Sequence, residues 1–297
     1  MKASKIVILY LFLCFMFGCT DTSISTVKVS EQDCKKNWAL CMLFPDSKIV
    51  TNDIKPIKIA ILDSGINENV NSLNEYVKSS YNAFDNSSET QPLFSHGTMI
   101  ASIIASTKYK DTMIGINNNT ELFDVQVLNE EGRGKVEDTI RGIKWSIEQN
   151  VDIINISSGF AKDDPNLRRE IKNAHDKGIK IIAATGNTIG LSTDYPAKYP
   201  EVYSISAIDS NKKVFSYAGK GKVDFVAPGV NIPVLNIQGE LEKQSGTSFA
   251  TAYATGIISL VLQKDIKNID EYLKSNSEEL GSDDRYGNGL IQIKEDE

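Results

Sequence analysis

The chain has 297 residues, 41% of them hydrophobic and 24% charged, with 20 Gly and 8 Pro. That mix excludes a disordered, collagen-like or disulfide-dense chain and leaves room for one large α/β domain or two small ones. The formal charge is −7; without residues 1–18 it is −9, from 30 basic against 39 acidic residues, which argues against nucleic-acid binding and admits basic partners. Two histidines and four cysteines are too few for a His-rich metal centre or a Cys₄ zinc site.

The N-terminus places Lys2 and Lys5 before an apolar run from Ile6 to Phe17, then Gly18 and Cys19. The run has the length of a signal-peptide core and is too short to span a bilayer comfortably. A small residue directly before a cysteine resembles the lipobox of bacterial lipoproteins, although Phe17 stands where a small residue is usual. Residues 1–18 are therefore expected to be a signal peptide, with Cys19 lipidated and acyl chains holding the protein to the membrane; ordinary signal cleavage is the alternative. Cys14 would leave with the signal. Export permits a disulfide between Cys34 and Cys41, two free cysteines being the other reading.

From about residue 55, short apolar runs alternate with helical periodicity. Ile57–Leu62, Leu122–Val127, Val151–Ile156, Ile179–Ala184 and Val202–Ala207 read as strands buried on both faces. Val136, Ile140, Ile143 and Ile147 form one stripe of an amphipathic helix, and Leu167, Ile171 and Ala174 a second, stopped by Gly178. Ser248–Gln263 is apolar nearly all round and reads as a buried helix. Strands alternating with helices imply a mostly parallel sheet covered on both faces, in one domain.

Three segments stand at strand-to-helix junctions, where functional groups are commonly presented. Asp63-Ser64-Gly65 ends a strand, Ser95-His96-Gly97-Thr98 opens a helix, and Ser245-Gly246-Thr247-Ser248 opens the buried helix. Singly, each has a structural explanation as a cap or a core residue. Together they carry an acid, a base and a hydroxyl nucleophile in the order Asp, His, Ser, which is the order of subtilisin.

With these segments, and with Ala183-Ala184-Thr185-Gly186-Asn187, Ala227-Pro228-Gly229 and Tyr286-Gly287-Asn288-Gly289, the chain resembles the subtilisin-like serine proteases from about Trp38 to Ile293. The resemblance implies a three-layer α/β fold and a peptidase domain over residues 38–297. It implies Ser248 as nucleophile, His96 as general base and then acid, Asp63 as the group that orients His96, and Asn187 as an oxyanion donor. His175 lies near a helix C-terminus, where a dipole contact accounts for it. Phe249, Ala252 and Ser102 depart from the family's usual Met, Pro and Gly without removing a reacting atom. Residues 19–37 are too few for an independent pro-domain. Lys108 and Lys110, in the Ser106–Asp111 loop where many subtilases hold calcium, oppose a divalent cation. No metal and no cofactor is expected.

The same resemblance places Ser157 and Gly159 in one wall of the pocket for the residue before the scissile bond, with Phe160 at its mouth. It places Gly132 and Gly134 on the edge that pairs with substrate backbone. Alignment through Tyr195-Pro196 puts Asp194 near the pocket base, where a carboxylate would select Arg or Lys; a solvated loop aspartate is the other reading. Glu130 and Glu131 also suit a basic substrate. A small exported subtilase of this kind resembles the leader peptidases that mature lantibiotics. The expected function is cleavage of a peptide or protein substrate, a modified precursor among the candidates, by a monomer at the outer membrane face. A surface protease of broader specificity and a non-catalytic peptide-binding lipoprotein are the alternatives. The tail, residues 294–297, reads as solvated.

Overall fold

The computed structural model describes residues 24–52, 55–70, 73–105, 108–264 and 266–294. The expected signal peptide with Cys14, the lipidation site Cys19, and Ser106, Thr107 and residues 295–297 lie outside the described residues. In chain order the elements are β1 (Ile24–Lys28), α1 (Glu31–Lys36), α2 (Trp38–Leu43), β2 (Lys48–Asn52), β3 (Ile57–Asp63), β4 (Val77–Asn82) and α3 (His96–Ile104). There follow β5 (Lys108–Tyr109), β6 (Thr112–Met113), β7 (Thr120–Gln126), α4 (Val136–Glu148), β8 (Ile153–Ile156), α5 (Pro165–Asp176), β9 (Lys180–Ala184) and β10 (Val202–Ile208). The chain closes with β11 (Phe225–Pro228), β12 (Ile232–Leu235), β13 (Leu241–Gln244), α6 (Thr247–Leu262), α7 (Ile269–Asn276) and α8 (Asp283–Tyr286).

Seven strands form one parallel sheet in the order β11-β10-β9-β8-β3-β7-β4. On β3, Ile57, Ile59 and Ile61 face one core with α3 and α6, while Ala60 and Leu62 face a second core with α4 and α5. The period-2 alternation thus feeds two apolar layers, and the fold is the three-layer α/β arrangement expected. From β3 the chain runs to β4 and β7 on one side, then crosses to β8 on the other. In open α/β sheets such a reversal is where ligand sites commonly form, at the C-terminal ends of the central strands.

All five expected strands are present. The sheet has two more, β4 and β11, at its edges. β4 reads Val-Lys-Ser-Ser-Tyr-Asn and is only partly buried, so it lacks an apolar run. β11 ends in Pro228, a residue an edge strand tolerates because no ladder donor is required of it. In α4, Ile143 of the apolar stripe is buried and Val136, Ile140 and Ile147 are half-buried. Gly142 lies against the sheet, where a Cβ would stand 2.9 Å from Val125 Cγ1.

The chain before Trp38 packs on the same body. β1 pairs antiparallel with β2, and the buried Asn37 donates from Nδ2 to Tyr253 Oη of α6 (2.9 Å). Cys34 and Cys41 are joined in a disulfide, Cα–Cα 5.6 Å, which ties α1 to α2. No helix among the described residues is long and apolar enough to cross a membrane. Closing so short a loop restricts the unfolded chain modestly. The double variant Cys34→Ser/Cys41→Ser should therefore lose about 2 kcal/mol of unfolding free energy, read by denaturant titration; an unchanged midpoint would refute a stabilising bridge.

Candidate active site

Asp63 is the last residue of β3 and has no solvent exposure. Its carboxylate accepts from Ser64 N (2.8 Å), and His96 Nδ1 stands 2.9 Å from each of its oxygens. A carboxylate at Nδ1 fixes the tautomer with the proton there and leaves Nε2 as the free base. His96 is the first residue of α3, and its ring packs between Phe94 (centroids 6.2 Å) and Phe249 (5.7 Å). Burial pushes the imidazole pKa down, but the charge of Asp63 and its hydrogen bond outweigh burial and raise it above the usual histidine value. Gly97 lets the two loops meet, since a Cβ there would lie 2.4 Å from Gly65 O.

Ser248 is the second residue of α6, so its backbone N–H is one of the donors that no earlier turn satisfies, at the positive end of the helix. Its Oγ donates to Ser157 O (2.9 Å), and no hydrogen bond joins it to His96 among the described residues. Hydrogen bonds in unliganded sites are often loose in this way, so the geometry is compatible with a pairing of the two side chains. Asn187 Oδ1 accepts from both Thr247 N and Thr247 Oγ1 (3.2 Å each). This fixes the amide so that Nδ2 is the donor left over, and a Cβ on Gly246 would stand 3.2 Å from it. A hydroxyl, an imidazole backed by a carboxylate and a free amide donor can together support acyl transfer.

The family model for the subtilase family matches residues 55–289. Subtilisin BL of Lederbergia lenta is 32% identical over 80% of this chain and 89% of its own length. Subtilisin of Bacillus pumilus is 32% identical over 80% of the chain and 90% of its own length. The minor extracellular protease Epr of Bacillus subtilis is 32% identical over 81% of this chain, which spans 38% of that relative. The chain belongs to the subtilase family. It is a subtilisin-like serine endopeptidase, and its substrates are peptides or proteins.

In this subtilase Ser157 and Gly159 follow β8, and Asp194 lies against Gly159. A Cβ on Gly159 would meet Asp194 Cβ at 2.7 Å, and one on Gly186 would meet Asp194 Oδ2 at 2.3 Å. Phe160 and Tyr195 exchange backbone hydrogen bonds (2.7 and 2.8 Å), and Asp194 N donates to Thr185 O (3.0 Å). The half-buried Asp194 carboxylate has no hydrogen bond or ion pair among the described residues. Burial raises its pKa, and Lys198 opposes the rise. Gly132 lies in a turn closed by its own N–H on Asn129 O (2.9 Å); a Cβ there would stand 2.7 Å from the Phe94 ring. Gly134 follows with no strand pairing among the described residues. In the loop expected to lack calcium, Lys108 and Tyr109 pair with Met113 and Thr112, and the Asp111 carboxylate is paired with Lys36. Among the described residues no group of three or more His, Cys, Asp or Glu could hold a metal ion. His175 sits in the last turn of α5, away from the site.

Two residues near Asp63 escape sequence reasoning. Asp124 and Gln126 lie on β7, both buried, inside the run Leu122–Val127 that reads as an apolar strand. The signal available was a carboxyl within a strand covered on both faces. Burial pushes Asp124 up to about 7, hydrogen bonds from Thr90 and Ile66 opposing and the charges of Glu68 and Asp63 adding to it.

These raised values make the folded chain bind more protons than the unfolded one. The contribution of His96 is complete below about 6.5 and lost as pH rises through its folded value. That of Asp124 is complete below about 4 and lost by about 7. Asp33, Asp85, Asp111 and Asp176, whose values are lowered, titrate below this window. Stability should therefore fall from pH 5 to 8, by at most about 1.4 kcal/mol per pH unit per group. Denaturant midpoints in a Ser248→Ala background, which prevents self-digestion, should show the fall, and Asp124→Asn should flatten its part below pH 7. A midpoint that rises with pH would contradict it.

Proposed function

We propose that this serine endopeptidase cleaves peptide bonds through Asp63, His96 and Ser248, at the outer face of a membrane to which a lipid on Cys19 holds it. The observation that carries the reading is the buried Asp63 carboxylate against His96 Nδ1, beside Ser248 at a helix N-terminus. Ser248 Oγ attacks the scissile carbonyl carbon while His96 Nε2 takes its proton; Asp63 steadies the imidazolium. The carbonyl oxygen gains charge and is met by Asn187 Nδ2 and the Ser248 N–H. Collapse of the adduct expels the amine, which takes the proton from His96. A water activated by the same imidazole then releases the acid and restores Ser248.

Lipidation rests on the Gly18-Cys19 pair after an apolar run, and an extracytoplasmic site is supported by a relative whose name describes it as extracellular. In labelling with an active-site fluorophosphonate, the parent protein should react in the membrane fraction. The Cys19→Ser variant should react in the soluble fraction, and Ser248→Ala nowhere. No labelling of the parent would favour a peptide-binding module, and a Cys19→Ser protein still wholly in membranes would remove the anchor.

For the substrate, the proposal is cleavage after Arg or Lys, in the leader of a lantibiotic-type precursor peptide. Its support is the unpaired Asp194 carboxylate, confined by Gly159 and Gly186 next to Ser157. A cation there would relieve a desolvated charge. Peptides with Arg before the scissile bond should be cut at least about tenfold faster than their Leu counterparts, and Asp194→Ala should abolish the difference. Equal rates in the parent protein would favour the broader surface protease.

A further inference from the structure

For His96 to rest on Asp63, two loops must be held together: residues 63–67, which leave β3, and residues 90–95, which lead into α3. Ser64 Oγ donates to Phe94 O (2.8 Å) and accepts from Gly97 N (3.0 Å), and Asn67 N donates to Thr98 Oγ1 (2.9 Å). These ties join the loops at their front. Behind them lies β7, the neighbour of β3, with Asp124 in register with Ile61. Asp124 Oδ2 accepts from Ile66 N (3.1 Å) in the first loop and from Thr90 Oγ1 (2.6 Å) in the second. Gln126 pins the second loop through Gln91, accepting from its N–H (2.7 Å) and donating to its carbonyl (2.8 Å). Its contact with the first loop, to Ser64 O, is the longer one at 3.4 Å.

A carboxyl group in the middle of a buried parallel strand is costly, and here the cost is not fully offset. Asp124 Oδ1 is buried without a hydrogen-bond partner among the described residues. What the group does provide is one oxygen shared by both loops. We propose that Asp124 is a positioning residue of the triad, its Oδ2 joining the loop of Asp63 to the loop of His96 and so holding the imidazole against its carboxylate. The proposal rests on the assignment of Asp63, His96 and Ser248 above. A neutral carboxyl and a carboxylate both accept at Oδ2, so the clamp persists across the titration of the group, whose acidic neighbours are Glu68 and Asp63.

Releasing the clamp should misplace His96 and leave Ser157, Gly159 and Asp194 where they are, so it should lower kcat and spare KM. The test uses the full chain and an Arg-containing peptide, with steady-state kinetics and NMR titration of His96. A His175→Gln background leaves a single imidazole signal. Asp124→Leu and Thr90→Val should each lower kcat by about tenfold or more, because sub-ångström misplacement of a catalytic group is that costly, with KM within about threefold. Their effects should be non-additive when combined, and the His96 pKa should fall toward about 6.5. Asp124→Asn, which keeps an acceptor oxygen, should stay within about threefold of the parent. A folded Asp124→Leu with parental kcat and His96 titration overturns the proposal, as does an Asn variant as impaired as the Leu variant. Where Asp124→Leu does not fold, Thr90→Val decides by the same two readouts. A parent protein that turns over no peptide would instead overturn the triad assignment, and the His96 titration would still report on the clamp.

Discussion

The structure depends on keeping one carboxylate, Asp63, out of water without leaving it bare. Removing such a group from solvent costs several kcal/mol unless donors surround it. The parallel sheet delivers Asp63 to the end of a central strand, where the ladder donors Val127 N and Leu128 N are taken up by its backbone carbonyl and none reaches its carboxylate. Ser64 N and His96 Nδ1 must serve instead. That requirement sets the close approach of the two loops, and Gly97 permits it by carrying no side chain above Gly65 O. The same requirement gives the imidazole its direction: with Nδ1 engaged, Nε2 is the nitrogen left free, as the proposed chemistry requires. A need of folding and a need of chemistry are met by one contact.

Ser248 is placed by a different device. α6 is buried on nearly every residue, so hydrophobic burial drives it into the core but does little to fix its rotation or register. Polar pairs supply that. Tyr253 Oη meets Asn37 Nδ2 (2.9 Å), Thr255 Oγ1 accepts from Asn155 Nδ2 (2.8 Å), and Ser259 Oγ accepts from Asn117 Nδ2 (2.7 Å). Three asparagines from three separate segments thus hold one helix, and sliding or turning it would orphan all of them. Asn155 also accepts from Ser157 Oγ (2.9 Å), and the Ser157 carbonyl receives the Ser248 hydroxyl. The strand that positions the middle of the helix therefore also positions the wall opposite its first turn.

Central elements were legible in the sequence for a simple reason: β3, β7, β8, β9 and β10 are covered on both faces and consist of apolar runs. Edge strands were not, because β4 is only partly buried and β11 is a short run that ends in Pro228, which reads as a turn signal. The stripe on α4 was visible as Val136, Ile140, Ile143 and Ile147, yet the helix also meets the sheet at Gly142, and the absence of a side chain leaves no mark in a hydrophobic pattern. The segments of Asp63, His96 and Ser248 could be read because each opens or closes an element. Asp194 could be named only by alignment, since its neighbourhood with Gly159 and Gly186 joins parts of the chain with no local relation. Asp124 lay within a run that reads as plain strand, and its partners Ile66 and Thr90 are distant in sequence.

Asp63, Asp124 and Asp194 differ chiefly in how many donors the fold supplies. Asp63 is served at both oxygens, Asp124 at one, and the Asp194 carboxylate at neither among the described residues. For Asp124 and Asp194 burial is the largest influence and raises the pKa. A carboxyl with donors on one oxygen suits a role in which its protonation state is immaterial, and a loop clamp is such a role. The half-buried Asp194 carboxylate has none among the described residues, and in the proposed reading a substrate cation supplies the missing counter-charge.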